Sequence, residues 1–164
     1  MTIDWKKFAA TLAATALLSA GAQPALAQHH HHAHEEAAPA QLTLNNGQKW
    51  ATDDSLRLGM SHIRDALTAE LPAIHAGKAT AKQYRALANK TNKQIEFMVQ
   101  NCKLDPEADA MLHVLLAEII AGADAMQMKN ISAARNGAVK IVLALDNYVT
   151  YFDHPGWQGI KHGH

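Results

Sequence analysis

The chain has 164 residues and balances 15 Lys and Arg against 15 Asp and Glu, so its formal charge is zero with histidine neutral. No basic patch points to nucleic acid, and no acidic run marks a solvating tail. The length suits one domain, and a single cysteine, Cys102, excludes an intrachain disulfide.

MTIDWKK places two lysines ahead of the apolar run FAATLAATALLSAGAQ, which Pro24 and the small-residue site Ala25-Leu26-Ala27 follow. A basic start, a short apolar stretch and an A-x-A site predict a secretory signal peptide over residues 1–27. The run is too short to span a bilayer, and no later segment offers about 18 uncharged apolar residues. The expectation is export to the periplasm, removal of the leader and no stable membrane insertion. Residues 28–49 hold His29, His30, His31, His32 and His34, then Pro39 and the turn Asn45-Asn46-Gly47. They lack any sustained period, which predicts a flexible His-rich tail or linker.

From Trp50 the pattern changes to a 3.6-residue period. Thr52 or Asp53 caps a first helix with the stripe Leu56, Met60, Ile63, Leu67, Leu71 and Ile74. Pro72 should kink that helix or end its regular part, with Gly77 as the stop. Thr80 with Gln83 forms a capping-box pattern for a second helix, whose stripe is Tyr84, Leu87, Thr91, Ile95, Met98 and Cys102. After Lys103-Leu104, Asp105 and Pro106 open a third helix facing inward through Leu112, Leu115, Leu116, Ile119, Ala123 and Met126. A fourth starts near Asn130. It carries Ala134, Ala138, Ile141, Val142, Leu145, Tyr148, Val149 and Phe152 to the stop Asp153-His154-Pro155-Gly156. No segment alternates like a strand. These elements predict an all-α, antiparallel up-down-up-down four-helix bundle over residues 50–157, followed by a C-terminal tail at 158–164.

That topology collects chemistry at one end. The start of helix 1, the end of helix 2, the start of helix 3 and the end of helix 4 share a pole, so Met60, Met98, Cys102, Met111, His113 and His154 fall in the same half. Trp50 and Trp157 should flank them, and His162 and His164 leave from there. Imidazole is a ligand for Cu(II), Ni(II) and Zn(II), and several on a flexible strand chelate with little strain. Cleavage after Ala27 would leave Gln28-His29-His30, in which the amine, two deprotonated amides and the third-residue imidazole form a square-planar site. Cyclisation of Gln28 would remove it. Met60, Met98, Cys102, His113 and His154 form a second candidate site, its sulfurs suited to Cu(I). The ordinary alternative is that the methionines fill the core and that Cys102 is a buried small hydrophobe. His113 would then pair only with Asp109 one turn earlier.

Other chemistries lack their motifs. There is no C-x-x-C-H for covalent haem, no Glu-x-x-His pair for a di-iron centre, and no HExxH, P-loop or G-x-S-x-G. Met60 and His154 sit where a bundle could hold noncovalent haem, though His154 precedes Pro155 at the helix end. No nucleophile–base–orienter set can be assembled, so an enzyme is not expected.

Three segments carry a resemblance: Trp50-Ala51-Thr52-Asp53, Asn101-Cys102-Lys103-Leu104-Asp105-Pro106-Glu107-Ala108-Asp109, and Tyr151-Phe152-Asp153-His154-Pro155-Gly156-Trp157. Together they resemble a family of small exported proteobacterial helical proteins. The resemblance covers residues 42–160, implies one compact helical domain and supplies no catalytic residues.

The leading expectation is a periplasmic metal-binding protein that buffers or delivers copper, or else nickel or zinc, through its histidine tail. Its rivals are a helical interaction or small-ligand module with an incidental tail, and a noncovalent haem carrier. Amino-terminal sequencing of the exported protein should begin at Gln28; a start at Met1 would remove the leader from the reading.

Overall fold

A computed structural model of the protein describes residues 41–160. The expected leader, the histidines at 29–34 and the pair His162 and His164 lie outside the described residues.

Four helices follow in order: α1 (Asp54–His75), α2 (Ala81–Asn101), α3 (Pro106–Gln127) and α4 (Ile131–Tyr151). Each begins where local chemistry favours it. Asp53 caps α1 by accepting from the Leu56 amide at 2.7 Å. Thr80 and Gln83 form a reciprocal capping box on α2. Asn130 accepts from the Ala133 amide at the head of α4. Asp105 departs from expectation, for its side chain makes no cap hydrogen bond. Pro106 alone marks that start, since its missing N–H would have been unpaired there anyway. Pro72 does not end α1. The helix runs on to His75 and stops before Gly77, whose φ of +66° suits a residue without Cβ.

The predicted stripes are the core, except that Cys102 and Val149 are only half-buried. Leu56, Met60, Ile63 and Leu67 of α1, Leu115, Ile119 and Met126 of α3, and Ile141, Leu145 and Tyr148 of α4 lie fully or almost fully out of solvent. Thr91 is the one polar side chain among the buried described residues, and its hydroxyl has no hydrogen-bond partner.

Consecutive helices reverse direction at short links. The early Gly59 of α1 meets the late Met98 of α2, and the late Gly122 of α3 meets the early Gly137 of α4. The interfaces are unequal. α3 and α4 share by far the largest, whereas α1 and α4 meet over a small one. The closeness of α3 and α4 has a local cause. A Cβ on Gly137 would lie 2.4 Å from the Gly122 carbonyl oxygen, and one on Gly122 would lie 2.7 Å from that of Gly137. The two backbones touch because neither residue carries a side chain.

The ordered domain is longer at both ends than the sequence suggests. Residues 42–49, expected within the linker, fold back on the bundle. Leu42 packs against the core, and Asn46 and Gly47, both at positive φ, form a two-residue turn closed by paired Asn45 and Gln48 backbone bonds. The Trp50 indole N–H donates to the Thr43 carbonyl at 2.6 Å. At the other end Ile160, expected in the tail, is buried. Both ends are held by large apolar side chains that periodicity alone does not reveal.

Gly137→Ala tests the helix contact. Alanine raises helix propensity by about 1 kcal/mol, but a methyl group against a backbone oxygen cannot be relieved by a rotamer change. The substitution should destabilise the fold by about 2 kcal/mol net in urea melts. Gly159→Ala, where a Cβ meets nothing within 4 Å, should be nearly silent.

Candidate functional site

The predicted pole forms, and Asp53 organises it. One carboxylate oxygen caps α1, and the other accepts from the Lys103 backbone amide at 2.6 Å across fifty positions of chain. A single side chain thus ties the start of α1 to the link between α2 and α3, beside the Cys102 thiol. The end of α4 joins through backbone pairing. The Trp50 amide donates to the Tyr151 carbonyl, and the Asp153 amide to the Trp50 carbonyl, both at 2.8 Å. Thr52 adds a hydroxyl bond to the Asp153 carbonyl. Arg57 bonds the Thr52 carbonyl at 2.6 Å and pairs with Asp54.

Aromatic rings cover this frame. Tyr148 is fully buried, stacks on Phe152 with centroids 5.4 Å apart and meets Trp157 edge-on at 5.0 Å. Its hydroxyl hydrogen-bonds Nδ1 of half-buried His154 at 2.9 Å. Trp157 lies 4.9 Å from the His154 ring and under the guanidinium of Arg64. Trp157 thus joins α1 to α4 and fills the part of their seam nearest the pole.

The electrostatics keep these groups uncharged. Burial, then the Asp53 and Asp109 carboxylates, push the Cys102 thiol up to about 12, so it stays protonated near neutral pH. Burial also raises Tyr148 well above the usual phenol range. His154 is lowered, first by burial and then by the positive charges of Arg57 and Arg64, against a smaller opposing effect of Asp153.

The candidate ligands in the bundle are therefore gathered but engaged. Met60 and Met98 are core residues, and the Met98 side chain lies over Gly59, where a Cβ would come within 2.7 Å of its sulfur. Met111 accepts a weak bond from the Thr43 hydroxyl at 3.6 Å. His113 is exposed on α3, its Nδ1 2.9 Å from the Asp109 carbonyl oxygen and 3.3 Å from its carboxylate. His62 is exposed and faces Gln94. Among the described residues, no three His, Cys, Asp or Glu side chains are placed to hold a metal together. The Tyr148 and Trp157 rings lie against His154, with centroids 5.7 and 4.9 Å from its imidazole.

Sequence reasoning missed Asp53 as the organiser, because its second bond reaches a residue fifty positions away. It missed Arg64 and Gly59 for a similar reason. An arginine or glycine inside a helix carries no local sign of its tertiary partner. Comparison of the chain with protein-family profiles, curated proteins and solved structures finds no match.

The His154 environment has a pH consequence. A folded-state value below the ordinary one means that the unfolded chain takes up the proton first. The stability that neutral His154 contributes is therefore present above its ordinary range near 6.5 and is lost as pH falls toward the lowered folded value. In urea melts between pH 7.5 and 5, His154→Gln should show a smaller stability loss than the parent chain; equal losses would show that His154 does not contribute.

Proposed function

We propose that the protein is an exported metal-binding protein, not an enzyme, which takes up copper, or else nickel or zinc, through the histidines at 29–34. The observation that carries the reading is five imidazoles within six positions, directly behind a leader-like segment. Neutral imidazole suits late first-row divalent ions, and neighbouring donors act as a chelate. The resemblance to small exported proteobacterial proteins supports the location.

The bundle supports the assignment of the work to the segment outside it. Cys102 is held as a protonated thiol by burial and the nearby Asp53 carboxylate, His154 is bonded to Tyr148, and Met60 and Met98 are packing residues. A metal recruiting them would have to replace bonds that hold the pole together. In this reading His29, His30, His31, His32 and His34 supply the ligands, with His162 and His164 as further imidazoles. The domain then serves as a stable carrier, joined to the histidine segment through Leu42–Trp50.

Calorimetric titration with Cu(II), Ni(II) and Zn(II) tests this directly. Deleting residues 29–34 should abolish the tight phase, whereas Cys102→Ser and His154→Asn should leave it unchanged. Affinity should fall steeply between pH 7.5 and 5 as the imidazoles protonate. Undiminished binding after the deletion would overturn the proposal.

A further inference from the structure

The seam between α1 and α4 is filled at one end only. Near the pole, Trp157 occupies it between Tyr148 and Arg64. Toward the opposite end, where α1 finishes and α4 begins, the seam opens into a groove of about 240 Å³. Its walls are Leu71 and Ile74 of α1 with Ala138 and Val142 of α4. Val139 and Leu143 form its lip and are 47% and 57% exposed, a large apolar outlay for one face of a helix.

The groove has one permanently charged lining residue among those described, Arg135. Arg135 and His75 stand at its rim, and no carboxylate lines it. Neither forms an ion pair with a described residue. Glu70, on the last turns of α1, is held by the Gln83 side-chain amide at 3.2 Å. A permanently charged guanidinium beside an apolar cleft offers a two-pronged contact for a carboxylate. Size narrows the ligand further. A cavity of about 150 Å³ accommodates a benzene ring, so this groove admits a ring or branched chain with a short acidic substituent and nothing as large as a typical drug.

We propose that this end of the α1–α4 seam binds a small amphipathic carboxylate, its apolar body between Leu71, Ile74, Ala138 and Val142 and its acid group on Arg135, with His75 as a second donor. The site follows from the glycine contact that draws α4 toward α3 and from the Trp157 plug that stops short of this end.

The test is a ¹H–¹⁵N spectral titration of the whole chain with phenylacetate. Saturable shifts should appear at the amides of Leu71, Ala138 and Val142, with a Kd of about millimolar. Arg135→Gln, a change at an exposed position, should weaken phenylacetate about tenfold and leave the weaker binding of neutral phenylacetamide unchanged. Absence of saturable shifts, or shifts indifferent to Arg135→Gln, would overturn the proposal. So would binding seen only in a chain ending at Ile160, because the groove would then belong to residues 161–164. A mass that doubles with concentration and abolishes the shifts would assign the groove to a second copy and overturn it equally.

Discussion

Two glycines in direct contact set the shape of this bundle. With no Cβ on Gly122 or Gly137, the α3 and α4 backbones come together until each residue's carbonyl oxygen occupies the other's side-chain position. Dispersion and burial are then concentrated in that pair of helices, and α4 cannot also lie close along α1. The seam left behind is the organising asymmetry of the molecule. Near the pole it is closed by the segment after α4, which brings Trp157 between Tyr148 and Arg64. Farther along, small and aliphatic side chains form its walls, and Arg135 and His75 stand at its rim. A symmetric quartet would have needed neither the plug nor the exposed Val139 and Leu143.

The pole shows how a small domain without disulfides holds loops in place. Asp53 satisfies the α1 terminus and the Lys103 amide with one carboxylate. Its charge is useful there because helix starts and free amides are electropositive. Cys102 beside it is pushed up first by burial and then by this carboxylate, which favours the protonated thiol. The same economy applies to His154, which serves as a neutral partner for Tyr148 in a setting that already holds Arg57 and Arg64. Groups that look reactive in a list of residue types are here ordinary structural parts.

Much of this was legible in advance. The four stripes, the Thr80–Gln83 box, the Asn130 start and the clustering at one pole follow from period and loop length, which are local properties. The mates of each side chain were not legible. Periodicity tells which face of a helix is apolar but not which neighbour it meets or how near. Gly59, Gly122 and Gly137 illustrate the gap, since a missing side chain adds nothing to a hydrophobic pattern, yet it sets the distance between backbones. The groove is a product of that distance and was equally invisible. Leu42 and Ile160 were assigned to tails because a single apolar residue beyond a helix has no period. The histidines at 29–34 are the reverse case, a cluster plain in the amino-acid order but outside the described residues.

The backbone pairing of Trp50 with Tyr151 and Asp153 joins the two ends of the folded region, and the Thr52 hydroxyl bond spans 101 positions. Tension applied to the ends would meet this short zipper before it reached any helix. The helices would be shielded until the zipper parted, and then exposed together. Conversely, during folding the zipper can close only after all four rods are laid down, so it acts as the final clasp and favours an all-or-none transition over piecemeal fraying.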